Sequence, residues 1–154
     1  MVRHSQKRKI GPVFFSVFLI YSAYLLYLTL FSHFYGRSHF HRSINLVPFR
    51  TIVHFLLNAG SAGALITNLF GNIAAFLPMG FLPPFFSDKF RKPRNIVLLI
   101  LTASCLIEIL QFCTGTGVSD VDDILLNTIG GVLGYLPYFF YERGVNEYVK
   151  RKDS

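Results

Sequence analysis

Three aspartates, Asp120, Asp122 and Asp123, stand directly before a run that stays apolar to Tyr141 apart from Asn127 and small residues. A lone Glu108 interrupts the otherwise uncharged stretch from Asn95 to Ser119, with Gln111 three residues on, and Asn68 and Asn72 lie four residues apart in another apolar stretch. Carboxylates and amides of this kind can hold a hard divalent cation, hydrogen-bond a polar ligand, or cap and tie helices. No nucleophile and base pair, phosphate loop or zinc-ligand spacing accompanies them. His33, His39, His41 and His54 cluster near the first loop, but their spacing matches no metal motif and suits interfacial placement. Cys105 and Cys113, eight residues apart on one helix, are too far along its axis to form a disulfide and read as buried small hydrophobes.

These residues must be held by elements that suit lipid. The chain has 154 residues, 52% hydrophobic and 16% aromatic, more apolar matter than a soluble domain of this size buries. Charge is absent from Ile10 to Gly36, from Thr51 to Ser87 and from Ile124 to Tyr141. Such lengths approach or exceed the roughly 20 residues that cross a bilayer as a helix. The expected architecture is all-α, a polytopic membrane protein forming one membrane domain over residues 1–154. Its bundle has four transmembrane helices at about 11–34, 65–85, 96–113 and 124–141. Arg3, Lys7, Arg8 and Lys9 before the first span imitate a secretory signal, yet that apolar core is too long and Ser32-His33-Phe34-Tyr35 is a poor cleavage site.

Twelve of the fifteen Lys and Arg residues fall at the amino terminus, in residues 88–95 and after Tyr141, leaving only Arg37, Arg42 and Arg50 elsewhere. The positive-inside rule then puts both termini in the cytoplasm, in a bacterial cytoplasmic membrane crossed several times. The same clusters account for the net charge of +7. Split among three membrane flanks with no base-reading motif beside them, they argue against nucleic acid as a partner and for membrane lipid. Residues 40–65 form a long outer connection in which 51–57 reads as a short interfacial helix ended by Gly60 and Gly63. Pro78 inside the second span predicts a kink or break, and Pro83 and Pro84 its cytoplasmic end.

Topology assigns each polar residue a depth. Asn68 and Asn72 share a helical face in the outer half of the second span. Glu108 and Gln111 lie about 18 to 23 Å up the third. At about 100° per residue, Asp120, Asp123, Asn127, Gly131 and Gly134 follow one stripe of the fourth, and Asp122 points elsewhere. An ionisable group facing lipid costs about 2.5 to 3.5 kcal/mol, so these side chains turn inward, and a pocket open to the outside is expected. Plainer roles stand beside that one. Ser119 followed by Asp122 resembles a capping arrangement, the amides can serve as interhelical hydrogen-bond ties, and Gly130, Gly131 and Gly134 permit close packing.

NLVPFRT (45–51), NLFGNIAAFLPMGFLPP (68–84), EILQFCTG (108–115) and GVSDVDDILLNTIGGVLGY (117–135), in this order, resemble the VanZ-like family of small bacterial membrane proteins over about residues 40–140. The resemblance implies a protein whose family's founding member is associated with resistance to teicoplanin, a lipid-bearing glycopeptide antibiotic that acts on cell-wall precursors outside the cytoplasmic membrane. It supplies no reaction. Its pattern picks out Asn45, Pro48 and Phe49, then Asn68, Asn72, Pro78 and Gly80, then Glu108 and Gln111, then Asp120, Asp122, Asp123, Asn127 and Gly130. Relatives carry an arginine shortly before the acidic cluster, where this chain has TGTGVS; either Arg50 replaces it or the cluster is left to bind a cation.

The expected binding site is therefore an outer polar pocket of Asn45, Arg50, Asn68, Asn72, Glu108, Gln111, Asp120, Asp122, Asp123 and Asn127. Its expected ligand is a cell-envelope component, such as a cell-wall precursor, or a lipoglycopeptide. The alternative is an intramembrane enzyme whose Glu108 and aspartates hold a divalent metal to modify a lipid-linked cell-wall precursor. The missing nucleophile and base weigh against it. A transporter is disfavoured by four spans without a broken-helix repeat. No cofactor is assigned, and the oligomeric state stays open.

Overall fold

The structure, a computed structural model, describes residues 2–31, 43–58 and 66–152. Its elements are α1 (Val2–Phe31), β1 (Ser43–Asn45), α2 (Arg50–Asn58), a π-helical turn (Ile66–Phe70), α3 (Gly71–Phe81), α4 (Pro83–Phe86), a 3-10 turn (Asp88–Arg91), α5 (Pro93–Thr114), β2 (Val118–Asp120) and α6 (Val121–Lys152). Among the described residues, four stretches are long and apolar enough to cross a membrane: Ile10–Leu30, Asn68–Phe86, Pro93–Thr114 and Val121–Val145. Their outward side chains, Ile20, Leu98, Ile109 and Phe140 among them, are exposed and apolar. Acyl chains tolerate such a surface and water does not, as befits a membrane protein.

The helices do not stop where hydropathy does. α6 starts at Val121, ahead of the expected 124, and runs through the charged tail to Lys152. Glu, Arg and Lys are good helix formers, so a change of solvent along the chain is not a change of backbone conformation. The ends of the expected spans at residues 32–34 and at Leu65 lie outside the described residues, as do Gly60, Gly63, His33, His39 and His41.

α3 passes through Pro78 without ending. In the turn before that proline, Tyr21 of α1 donates its hydroxyl to the Ala75 carbonyl at 2.7 Å. The interruption comes at Leu82, ahead of Pro83, which opens α4. Pro83 and Pro84 are fully buried, and Phe85 beside them stacks on Phe14 of α1 with ring centroids 4.6 Å apart.

α3 and α6 approach until backbone touches backbone. A Cβ at Gly80 would meet the Gly131 carbonyl oxygen at 1.8 Å, one at Gly130 the Ile73 oxygen at 2.1 Å, and one at Gly134 the Leu77 oxygen at 1.9 Å. Small residues thus form this seam, the arrangement by which helices gain van der Waals contact where no water is expelled. Phe76, Met79, Ile96, Ile100, Ile107 and Tyr135 fill the space between α3, α5 and α6. At one end of the bundle Tyr135 donates its hydroxyl to the Arg91 carbonyl at 2.5 Å. Cys105 and Cys113 are exposed on α5, contrary to the expectation that they are buried. The buried face of that helix is taken by Ser104, Ile107, Glu108 and Gln111.

One feature departs from an all-helical chain. β1 and β2 pair in parallel, Ser43 with Val118, Ile44 with Ser119 and Asn45 with Asp120. Three residues a side carry no readable alternation, and a parallel pair joins segments that only the crossover between them brings together.

Candidate polar binding site

The end of α5 sets the site's geometry. Gly115 takes a left-handed conformation at φ 67°, and its N–H and that of Thr116 close on carbonyls of the last turn. This is the usual glycine stop, which turns the chain back along the helix it has left. β2 then runs beside α5, and the N–H of Asp120 donates to Glu108 Oε2 at 2.8 Å. A carboxylate deep in an apolar helix is thereby satisfied by backbone from the returning strand.

Asp120 sits opposite Asn45 in the strand pair, and both are buried. Its Oδ1 accepts from Asn45 Nδ2 at 2.9 Å and from the N–H of Asp122 at 2.9 Å, and its Oδ2 accepts from the Thr51 hydroxyl. Asn45 Nδ2 also reaches Thr51 Oγ1 at 3.1 Å. The first turn of α6 is therefore capped by Asp120, the last residue of β2; the expected cap, Ser119, stands one residue too early. The reason is position, since a cap must immediately precede the helix, which begins at Val121.

Asp122, off the stripe, serves another helix. Its Oδ1 accepts the N–H of Phe49 at 2.6 Å, and its Oδ2 accepts those of Thr51 at 2.8 Å and Ile52 at 3.2 Å. Those are the orphan donors at the start of α2, which has Phe49 where a capping side chain would stand. Phe49 itself holds φ 66°, following Pro48 in a turn closed by the Arg50 N–H on the Val47 carbonyl at 3.3 Å. Such a conformation costs a non-glycine residue about 1 to 3 kcal/mol, and the Asp122 contacts hold it in place.

One level into the bundle, Asn72 of α3 donates to Asp123 Oδ1 at 2.6 Å. A turn further along α6, Asn127 Nδ2 donates to Ser104 Oγ at 2.9 Å. Gln111 Nε2 ties α5 to the Thr29 carbonyl of α1 at 3.0 Å. Asn68 occupies the π-helical turn before α3, half-buried, so its spacing from Asn72 is not that of a regular α-helix. Arg50 is exposed and makes no ion pair with Glu108, Asp120, Asp122 or Asp123, so it does not replace the arginine expected before the acidic cluster. N–H and O–H donors answer Asp120 and Asp122 instead.

Thr51 and Ser104, absent from the expected set, each complete a contact within it. Ser104 was within reach of the sequence, four residues before Glu108 on the same helical face. Asn127 Oδ1 is buried with no hydrogen-bond partner among the described residues. Ser104→Ala alone is expected to leave the Asn127 amide unanswered as well and to cost about 1 to 3 kcal/mol of stability. Ser104→Ala combined with Asn127→Leu removes both polar partners and is expected to restore the unfolding midpoint in detergent.

Above this network lies a cleft of about 370 Å³, bordered by Ser43, Asn45, Arg50, Thr51, His54 and Asp120. Among the described residues, no group of three or more His, Cys, Asp or Glu side chains is arranged to hold a metal ion. The four motifs of the sequence, NLVPFRT, NLFGN, EILQ and SDVDD, thus meet at one end of the bundle through side chains from β1, α3, α5, β2 and α6. The sequence profile of the VanZ/LLP1 family matches residues 18–142. The chain belongs to that family. Protein VanZ of Enterococcus faecium is 29% identical to it over 136 residues, covering 83% of this chain and 74% of that protein. No solved structure matches. The matched region takes in every residue of the network.

Proposed function

We propose that the chain is a multi-pass protein of the bacterial cytoplasmic membrane with both termini cytoplasmic and α2 lying at the outer interface. Its polar end faces outward and binds or shields a cell-envelope component or a lipoglycopeptide, in association with resistance to teicoplanin. The observation that carries this reading is the junction of Asn45, Thr51, Glu108, Asp120 and Asp122 beneath an open cleft. Buried polar groups inside apolar helices are costly, and groups so placed face a bundle interior or an aqueous cavity. The basic clusters lie at the opposite end, as the positive-inside rule requires of an outward-facing site. The metal-dependent enzyme has no specific observation in its favour.

The test is Glu108→Gln and Asp123→Asn in cells challenged with teicoplanin, scored with surface binding of labelled drug and with the composition of cell-wall precursors. The expected result is lost protection with unchanged precursors. Disappearance of an altered precursor would favour catalysis. Orientation is checked with Val118→Cys, an exposed β2 position, in a chain lacking Cys105 and Cys113. An impermeant maleimide is expected to label intact cells, and labelling only after permeabilisation would overturn the outward orientation.

A further inference from the structure

The cleft over the strand pair carries a guanidinium that no carboxylate among the described residues answers. Asp120, at its floor, spends Oδ1 on Asn45 and the Asp122 N–H, and Oδ2 on Thr51. Asp122, behind it, spends both oxygens on the first turn of α2. Arg50, in that same turn, lines the cleft with no carboxylate within ion-pair distance among the described residues. His54, four residues on, lies on the same face of α2 and also lines the cleft. What remains on offer is a guanidinium with its fork of N–H donors, beside the hydroxyl of Ser43.

The strand border of the cleft is apolar, with Ile44 and Val118 exposed on it. Outside the cleft, Val53, Leu56 and Leu57 are exposed along α2, with Leu46 and Val47 in the preceding turn. A helix with a cationic face and an apolar face, set at one end of a membrane bundle, presents charge and hydrocarbon side by side. A guanidinium pairs with planar or tetrahedral oxyanions through two parallel hydrogen bonds, and phosphate is the oxyanion that amphiphiles carry at the boundary between headgroup and chain. At about 370 Å³ the space holds more than a bare oxyanion.

The geometry points to a phosphate-binding site: the cleft takes the phosphate of an amphiphile's headgroup, with Arg50 as its principal ligand and the apolar border against the attached chain. This deepens the reading of the polar end as a binding site by naming the ligand's chemistry.

The experiment uses the full chain in a phosphate-free maltoside detergent, titrated with a fluorescent short-chain phosphatidic acid. Arg50→Gln is expected to weaken binding at least about tenfold, with Arg50→Lys intermediate because a lysine keeps the charge without the fork. Val118→Trp, which fills the cleft from the strand side and keeps Arg50, is expected to block the probe. Diacylglycerol, lacking phosphate, is expected not to compete. Competition by inorganic phosphate with the same dependence on Arg50 would identify free phosphate as the ligand, and its failure to compete would identify a lipid headgroup; both outcomes support the site. Unchanged binding in Arg50→Gln, or equal competition by diacylglycerol, overturns it. If Arg50→Gln does not fold, unchanged binding in Val118→Trp overturns it equally. Phosphate binding that depends on Arg50, together with maleimide labelling from the cytoplasmic side only, would keep this site and sink the outward-facing reading. The opposite pair of results would do the reverse.

Discussion

Gly134→Val is expected to lower the unfolding midpoint in detergent more than any single side-chain deletion in the polar network, at a cost of about 3 kcal/mol or more. The first added carbon alone would stand 1.9 Å from the Leu77 carbonyl oxygen, and a backbone oxygen inside a helix cannot rotate out of the way. The two helices must then separate along the seam that also holds Gly80 and Gly130, losing contacts that in lipid have no hydrophobic substitute. Asn72 of α3 and Asp123 of α6, 2.6 Å apart, would be pulled from each other by the same movement. Gly144→Ala supplies the control, because a Cβ there meets nothing within 4 Å. Alanine in that helical position is expected to stabilise the chain by up to about 1 kcal/mol. Equal midpoints for Gly134→Val and the parent protein would show that the seam is not held by backbone contact.

Asp122→Ala is expected to release α2 from the bundle. The change removes a fully buried carboxylate that answers three N–H groups, at Phe49, Thr51 and Ile52. Hydrogen bonds to a charged group are worth about 1.5 to 3 kcal/mol each and do not add simply, so a loss of about 2 to 4 kcal/mol is expected locally. Amide hydrogen exchange reads it directly: protection of Thr51 and Ile52 is expected to fall by about 30-fold or more. Protection at Ile100 and Ile107, in the middle of α5, is expected to change far less. Asp122→Asn keeps one acceptor oxygen and turns an NH2 toward a donor, so it is expected to recover little of the loss. Retained protection of Thr51 in Asp122→Ala would mean that packing, rather than the carboxylate, seats α2.

Much of the arrangement is written in local pattern. The stripe drawn through Asp120, Asp123, Asn127, Gly131 and Gly134 at helical spacing corresponds to close approaches to Asn45, Asn72, Ser104, the Ile100 side chain and the Leu77 backbone in turn. One period of rotation, applied along a rigid helix, carries that information. Asp122 was excluded from the stripe by the same rotation, but nothing in its neighbours says that its oxygens end 71 positions away in sequence on Thr51. The choice between Ser119 and Asp120 as cap likewise depended on where α6 starts, which hydropathy does not mark.

What the sequence determined by itself is the set of four apolar helices, the family of the chain and the turn of each helix on which its polar residues lie. Solvent preference and helical rotation are properties of single segments. Only the tertiary structure decided that Ser43–Asn45 pairs with Val118–Asp120, that Asp120 and Asp122 are answered by amide, hydroxyl and backbone donors, and that Arg50 lines a cleft. Those outcomes turn on which of several competent donors comes within about 3 Å of an acceptor, and that distance is set by how whole helices pack.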